Sequence, residues 1–164
     1  MVCFSLGSNL GDRICFLQQA IVKLTERVGL PVSLSSVYET EPLGVEGHQN
    51  YLNAVAWYNT ILTPEEVLET ILNIEKQLGR IRVENKVEPR NIDIDILFYD
   101  DILINKEGLV IPHPFIQYRK FVLVPLAEIS GGFMVPGKNA TVSELLNDCN
   151  DSSTIIKTEL SLQK

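Results

Sequence analysis

The spacing of apolar residues changes along the chain in a way that predicts alternating strands and helices. Residues 1–6 form a short apolar run, which we expect to be a strand, and the segment GSNLGD ends it. Beyond Asp12 the apolar residues recur with the spacing of an amphipathic helix, at Leu17, Ala20, Ile21, Leu24 and Val28. Gly29 and Pro31 are expected to end that helix.

The middle of the chain repeats this succession. Residues 33–38 and 51–61 are rich in strand-forming residues and predict two strands. Thr63, Pro64 and Glu66 then have the spacing of a helix start, with threonine as N-cap, proline at the first position and glutamate completing a capping box. The apolar stripe of this helix and the glycine that ends it are Val67, Leu68, Ile71, Leu72, Leu78 and Gly79.

With a further strand at residues 92–96, the predicted order is β-α-β-β-α-β. This is the order of a ferredoxin-like α+β fold, in which both helices pack on one face of an antiparallel sheet. The segments ILI and LVI predict two short strands around residues 105–108, and short helices are expected near 124–129 and 142–146. The tail from Asp151 is weakly patterned, so we expect an extra helix or a frayed end there. Residues 1–164 are thus expected to form one domain with a C-terminal β/α extension.

Composition narrows the class of protein. Of the 164 residues, 45% are hydrophobic and 21% are charged, as in ordinary globular proteins. The net charge of −7 argues against a broad nucleic-acid-binding surface but allows a local basic site. No apolar run approaches the ~18 residues of a membrane span, and the chain start does not resemble a signal peptide. The odd number of cysteines, three, favours reduced thiols and a cytoplasmic location.

Two carboxylates stand out in the predicted strand IDIDI. Asp93 and Asp95 share one face, with Cα atoms ~6.5 Å apart. Such a pair could hold Mg²⁺ or Mn²⁺, or bridge two ions, together with phosphate oxygens and water. A solvated polar face is the alternative, although aspartate is unfavourable in strands and the two charges would repel each other.

Two further groups of residues could contribute to such a site. Arg80, Arg82 and Arg90 cluster in a chain with few arginines, and guanidinium groups bind phosphate oxygens bidentately. His113 lies between two prolines and could donate to a phosphate or transfer a proton. On their own, these residues would favour the simpler interpretation of a solvated loop and a turn histidine.

An aromatic residue and an amide share one face of the predicted strand at residues 51–61. Tyr51 and Asn53 could stack on a flat heterocycle and hydrogen-bond to it. By themselves they are also ordinary strand residues.

The segments GSNLGDR, SSVYETEPLG, QNYLNAV, IEKQLGRIR, PRNIDIDIL, IPHPF and RKFVLVPLAEI occur in this order between about residue 4 and about residue 130. Together they closely resemble the 6-hydroxymethyl-7,8-dihydropterin pyrophosphokinases of folate biosynthesis. The resemblance implies an ATP-dependent diphosphotransferase that moves a pyrophosphoryl group from ATP to the hydroxymethyl oxygen of the pterin and releases AMP. It also implies two Mg²⁺ ions and, from family precedent, a monomer.

The resemblance assigns roles to individual positions. It implies that Asp93 and Asp95 bind both metal ions and that Arg90 offsets their charge when no metal is bound. The ATP-binding positions are Glu75, Arg82, Arg90, His113 and Arg119. The pterin-binding positions are Thr40, Leu43, Tyr51, Asn53 and Phe121, with Thr40 and Leu43 offering backbone groups. The catalytic positions are Arg80, Arg82, Arg90 and Asp95.

The chemistry of the acceptor adds two expectations. The hydroxymethyl group is a neutral alcohol, so either a metal lowers its pKa or a carboxylate takes its proton, and we favour Asp95 or a metal-bound water. The loops at residues 39–50 and 80–91 are expected to close over the site and exclude water.

Val87 and Glu88 depart from the family pattern, because many members carry an aromatic residue and then glycine at these positions. The alternative function is therefore a non-catalytic relative that binds pterin or nucleotide with an altered loop. A regulatory ferredoxin-like domain would explain the fold, but not the aspartate pair, the arginines and His113 together. The start at Met1 and the polar tail favour a free-standing enzyme.

Overall fold

The computed structural model describes residues 1–42, 49–80 and 89–163. These residues form three layers, with a central antiparallel sheet and a pair of helices on each face. The predicted pterin contact Leu43, the arginine Arg82 and the altered positions Val87 and Glu88 lie outside the described residues.

The predicted first strand and first helix are confirmed. Strand β1 spans Val2–Ser8 and helix α1 spans Arg13–Arg27. Asp12 is the N-cap of α1, and its side chain accepts a hydrogen bond from the Cys15 backbone N–H at 3.2 Å. The apolar stripe of α1 faces the sheet, with Leu17, Ala20, Ile21 and Leu24 buried.

The prediction of one strand at residues 33–38 was wrong, because two strands occupy this region. Strand β2 spans Gly29–Leu34 and strand β3 spans Tyr38–Thr40, and both pair with strand β4, Tyr51–Thr60. Gly29 begins β2 directly after the helix at φ 150°, where an added Cβ would lie 1.9 Å from the Asn59 carbonyl oxygen. Pro31 lies inside β2 next to a shift in register, where its missing N–H is tolerated.

The second helix and the aspartate strand follow the prediction. Helix α2 spans Pro64–Gln77 and begins with the capping box of Thr63 and Glu66. Strand β5 spans Asp93–Tyr99 and pairs with β1. Leu72, which we placed in the apolar stripe of α2, is exposed, and Ile74 and Glu75 are buried instead.

The sheet has the ferredoxin-like arrangement, with β1 between β5 and β4 and with β2 and β3 both on β4. Helices α1 and α2 pack on the same face, against one core cluster that includes Phe4, Leu6, Tyr58 and Ile94. The predicted fold is therefore confirmed for its central part.

The C-terminal extension consists of a hairpin, whose Leu109 and Ile111 join the core under α1 and α2, and of two helices that cover the opposite face of the sheet. The two predicted short strands are confirmed as β6, Ile104–Lys106, and β7, Leu109–Ile111, and they pair with each other as a hairpin. After a 3₁₀ turn at Ile116–Tyr118, helix α3 spans Lys120–Ser130 and helix α4 spans Val142–Asn147. Helix α3 begins four residues before the predicted 124–129, and it packs with α4 against a second core cluster around Trp57 and Phe98.

The tail is neither an extra helix nor a frayed end, so that prediction was wrong. Residues Ile155–Lys157 form strand β8, which pairs antiparallel with β3 at the edge of the sheet. A segment of three residues is too short to show the alternation of apolar and polar residues that indicates a strand. Its strand conformation depends on pairing with the neighbouring edge strand β3. Among the helices that the structure describes, none is both long and apolar enough to span a membrane.

Candidate active site

Asp93 and Asp95 project from β5 on the face opposite α1 and α2. Their neighbours Ile92, Ile94 and Ile96 all belong to the core beneath those helices. Because successive side chains of a strand point to opposite faces, both carboxylates point toward the face that α3 and α4 cover in part. The predicted common face of the two aspartates is confirmed.

A glycine separates the aspartate pair from Asn53. Gly7 of β1 stands opposite Asp93 on one side and opposite Asn53 on the other. Asp93 and Asn53 are therefore two strands apart in one row, which corresponds to ~10 Å between their Cα atoms. An added Cβ on Gly7 would lie 3.2 Å from Asn53 Oδ1, so the absence of a side chain leaves the row open.

Both carboxylate oxygens of Asp93 accept hydrogen bonds from arginines. Arg80 Nη1 donates to Oδ1, and Arg90 Nη1 donates to Oδ2 at 2.5 Å. Arg80 Nη1 also donates to Glu75 Oε1. Burial lowers the pKa of Arg90, but the charge of Asp93 and the hydrogen bond to it outweigh burial, so the pKa is raised above its ordinary value. The structure thus brings together two of the clustered arginines and the metal-binding candidate.

Glu75 links the second helix to the aspartate strand. Its side chain is buried, and Oε1 accepts a hydrogen bond from the Ile94 backbone N–H at 2.8 Å. A carboxylate in the last turn of α2 therefore lies against the strand residue between Asp93 and Asp95. Glu75 also lines a cavity of about 420 Å³, together with Leu72, Lys76 and Arg80.

Asp95 faces a second cationic group. Arg119 Nη1 donates to Asp95 Oδ2 at 3.2 Å, and His113 Nε2 lies 3.6 Å from the same oxygen. Burial, together with the negative charge of Asp93, raises the pKa of Asp95 above its ordinary value. Burial lowers the pKa of His113, and Arg119 acts in the same direction, whereas Asp95 opposes them.

The orientation of His113 is fixed by its own loop. Its Nδ1 accepts a hydrogen bond from the Phe115 backbone N–H at 3.2 Å, and its backbone N–H donates to the Leu97 carbonyl at 3.0 Å. In the neutral ring the proton is therefore on Nε2, the atom nearest to Asp95.

Arg119 also lies over two aromatic rings. Its guanidinium carbon is 5.5 Å from the centroid of Phe115 and 5.7 Å from the centroid of Phe121. The predicted pterin contact Phe121 and the predicted phosphate contact Arg119 are thus neighbours.

The remaining pterin candidates meet on β3 and β4. Asn53 Nδ2 donates to Thr40 Oγ1 at 2.9 Å, and both residues are buried. The Thr40 side chain thus takes part in this contact, and the binding of the pterin by its backbone groups stays a prediction. Tyr51, which pairs with Thr40, is close enough to Arg90 to influence the pKa of the guanidinium.

The model of the family described as 7,8-dihydro-6-hydroxymethylpterin-pyrophosphokinase matches residues 3–131. The chain belongs to this family. The predicted resemblance over residues 4 to 130 is therefore confirmed almost to its limits. Every described candidate residue lies inside the matched range, whereas the tail that forms β8 lies outside it.

Bacterial pyrophosphokinases are similar over most of their length. The 2-amino-4-hydroxy-6-hydroxymethyldihydropteridine pyrophosphokinase of Methylorubrum extorquens is 44% identical over 142 residues, which cover 86% of this chain and 88% of that protein. The Bacillus subtilis protein of the same name is 44% identical over 126 residues, covering 76% of this chain and 75% of that protein.

Longer proteins contain a similar region. The folic acid synthesis protein fol1 of Pneumocystis carinii is 44% identical over 135 residues, and the chain spans only 18% of its length. Among solved structures, Plasmodium falciparum HPPK-DHPS with pteroate superposes with a TM-score of 0.72 over 90% of this chain and 44% of that one. Its sequence identity of 16% makes this a likeness of fold.

One buried residue near the site was missed in the sequence. Asn9 Oδ1 accepts a hydrogen bond from the Arg90 backbone N–H at 2.8 Å, and the Asn9 N–H donates to the Arg90 carbonyl at 3.1 Å. These two bonds fix the backbone that carries the Arg90 guanidinium. No role was predicted for Asn9, because Arg90 lies 81 residues further along the chain and no local pattern connects the two.

The described residues contain no cluster of three or more histidine, cysteine, aspartate or glutamate side chains placed to hold a metal ion. Asp93 and Asp95 can therefore supply only part of an octahedral ligand set. Oxygen donors of this kind fit Mg²⁺ that is also bound by phosphate oxygens and water. The donor set suits a metal that arrives together with a phosphorylated substrate.

Proposed function

We propose that this chain transfers a pyrophosphoryl group from ATP to the hydroxymethyl oxygen of 6-hydroxymethyl-7,8-dihydropterin, in folate biosynthesis. The observation that carries the proposal is the juxtaposition on one sheet face of Asp93 and Asp95 with Arg80, Arg90 and Arg119. The family membership supports the same activity, since its relatives are named as pyrophosphokinases. No finding favours the alternative of a non-catalytic binder.

The reaction needs positioning and charge neutralisation more than a protein nucleophile. The hydroxymethyl oxygen forms a bond to the β-phosphorus of ATP, and the bond from that phosphorus to the oxygen shared with the α-phosphate breaks, which releases AMP. We propose that Arg90, Arg119 and His113 bind the phosphates and that Arg80 joins them from the end of α2; their contacts with the aspartate pair support this. Arg82 is proposed for the same role, although it lies outside the described residues.

We propose two Mg²⁺ ions as the cofactor, held by Asp93 and Asp95. When bound, the ions would neutralise phosphate charge and acidify the acceptor hydroxyl. Arg80 and Arg90 donate to the Asp93 oxygens, which offsets the negative charge of the aspartate pair. Asp95, whose pKa is raised by burial, is the carboxylate that we propose to accept the hydroxyl proton.

The pterin is proposed to bind beyond Gly7, on the side of Asn53. Asn53 and Thr40 are linked by a hydrogen bond, and Tyr51 and Phe121 supply aromatic surface nearby. A flat heterocycle between these groups would direct its hydroxymethyl arm along the row toward the aspartates. Leu43 is proposed as a further contact from outside the described residues.

We also propose that residues 1–164 act as a single-domain, monomeric and cytoplasmic enzyme. Cys3, Cys15 and Cys149 are all free thiols in the structure, which suits a reducing compartment. The elution volume in size-exclusion chromatography tests whether the protein is a monomer.

The experiment that tests the proposed activity is AMP release from ATP with Mg²⁺, with and without 6-hydroxymethyl-7,8-dihydropterin. We expect AMP that depends on the pterin, together with the pterin diphosphate in equal amount. Tight binding of both substrates without AMP would contradict the proposal and favour the non-catalytic relative.

A further inference from the structure

The tail of the chain reaches back to the segment that carries Arg119. The Lys120 backbone N–H, at the first residue of α3, donates to Asp151 Oδ2 at 3.0 Å. Arg119 is the N-cap residue of α3 and makes no side-chain cap of its own. The first N–H groups of a helix need partners from outside the helix, and a carboxylate there also interacts favourably with the helix dipole. Asp151 therefore serves as the cap of α3 from a distant part of the chain.

A second set of contacts holds the Asp151 carboxylate in place. Its Oδ1 accepts hydrogen bonds from the Ser153 backbone N–H at 2.9 Å and from the Ser153 hydroxyl. Lys120 Nζ donates in turn to the Ser153 carbonyl at 3.2 Å. Burial raises the pKa of Asp151, but the hydrogen bonds from Ser153 and Lys120 outweigh burial and lower it. The cap is therefore a carboxylate whose two oxygens are both engaged.

The tail is anchored again a few residues later. Strand β8 pairs with β3, and Ile155 stands opposite Thr40. Lys157 Nζ donates to Glu128 Oε1 of α3 at 2.9 Å, and the Thr158 N–H donates to the Val37 carbonyl at 2.9 Å. The tail thus connects the start of α3 with the strand whose Thr40 binds Asn53.

The capped helix start carries groups that face the site. Arg119 precedes Lys120 and donates to Asp95 Oδ2, and it lies over the ring of Phe121, the residue that follows Lys120. A small rotation of this turn would move the guanidinium away from the carboxylate. Its geometry accordingly depends on what holds the Lys120 N–H.

We propose that Asp151 is a positioning residue for the reaction, because its carboxylate caps α3 and so orients Arg119 and Phe121 toward Asp95. This inference depends on one part of the proposed function, the binding of ATP phosphates by Arg119. It assigns a part in the reaction to the tail, although the family model matches only residues 3–131.

The test compares Asp151→Ala with Asp151→Asn and with the control Asp148→Ala in the full chain. Asp148 is exposed and lies in the same part of the chain, directly after α4. The probe is an ATP analogue with a methylene group between its α- and β-phosphorus, and its Kd is measured by calorimetry in the presence of Mg²⁺. We expect Asp151→Ala to raise this Kd about five- to tenfold, which corresponds to the free energy of one lost helix cap. Asp151→Asn keeps an acceptor oxygen and should restore most of the affinity, whereas Asp148→Ala should bind as the unchanged protein does.

A double-mutant cycle separates positioning from a purely structural role. If Asp151 acts through Arg119, Asp151→Ala should weaken analogue binding much less in an Arg119→Ala background than on its own. Full additivity of the two changes would overturn the proposal, as would equal Kd values for Asp151→Ala and Asp148→Ala. Should Asp151→Ala fail to fold, Ser153→Ala removes one donor to the carboxylate and should shift Kd in the same direction by less. Analogue binding needs no turnover, so a chain without pterin-dependent AMP release would disprove the activity and leave this test intact.

Discussion

Asp93 and Asn53 lie in one row of the sheet, on either side of Gly7 and on the same face. The residue proposed to bind metal is thus ~10 Å from the residue proposed to bind the pterin, with only backbone between them. This row is the structural basis for placing the two substrates end to end.

A side chain at Gly7 should impair binding of the pterin more than binding of ATP. In Gly7→Ala the new methyl group would lie 3.2 Å from Asn53 Oδ1, and Asn53 cannot withdraw easily while it donates to Thr40. We expect KM for the pterin to rise about tenfold with less change in KM for ATP, measured by AMP release. Gly132→Ala is the control, since nothing lies within 4 Å of a Cβ added there. An unchanged KM for the pterin in Gly7→Ala would place the pterin elsewhere.

The contact between Asn9 and Arg90 should matter for both stability and rate. Asn9→Ala leaves the Arg90 N–H without its side-chain acceptor in a buried position. We expect the free energy of unfolding to fall by roughly 1–3 kcal/mol in urea titrations. We also expect kcat/KM for ATP to fall, because the Arg90 backbone loses a constraint.

The control for Asn9 is Asn105→Ala, an exposed position of β6. If Asn9→Ala kept full kcat/KM while losing stability, Asn9 would support the fold alone.

Arg13 connects the two stems of the segment at residues 41–50. Its Nη1 donates to Glu39 Oε1 at 2.7 Å and to the Asn50 carbonyl at 2.6 Å, next to Thr40 and Tyr51. Arg13→Ala should therefore raise KM for the pterin several-fold. Arg27→Ala, on the same helix, removes a contact with Gln77 of α2 and should leave KM unchanged. Equal kinetics of the two variants would contradict a role for Arg13.

The contacts of Glu128 with the tail and β3 should show in the acid stability of the protein. Burial raises the pKa of Glu128, but hydrogen bonds from Ser36 and Lys157 outweigh burial and lower it below its ordinary value of 4.5. A lowered folded pKa stabilises the protein above the unfolded pKa, and this stabilisation is lost as pH falls through the folded pKa.

Thermal unfolding of the protein and of Glu128→Gln from pH 7 to pH 3 tests this assignment. The protein should be more stable than Glu128→Gln at neutral pH, and the difference should shrink below about pH 4.5. A difference that stays constant over this range would show that the carboxylate charge contributes nothing.

Much of the fold follows from local signals in the sequence. Thr63 and Glu66 form the expected capping box, and the alternation of isoleucine with Asp93 and Asp95 determines the buried and the polar face of β5. In both cases the residues that give the signal lie within a few positions of the structure they determine, so the sequence is sufficient to predict it.

Other features depend on residues distant in sequence. The division between β2 and β3 depends on how each pairs with β4, and β8 exists because β3 offers a free edge. The bonds from Asn9 to Arg90 and from Asp151 to Lys120 likewise join separate parts of the chain. Such partners are brought together only by the folded sheet, so no pattern along the chain indicates them.

The most direct test of the central claim is the rate of pterin-dependent AMP release by Asp95→Asn and by the control Asp101→Asn, at several Mg²⁺ concentrations. Asp101 is exposed in the turn after β5. We predict that Asp95→Asn keeps its fold by circular dichroism and loses more than about a hundredfold in rate, because it removes a charged metal ligand and the proposed acceptor of the hydroxyl proton. Asp101→Asn should keep the full rate. A rate for Asp95→Asn within a few-fold of that control would contradict the assignment of the aspartate pair as the catalytic centre.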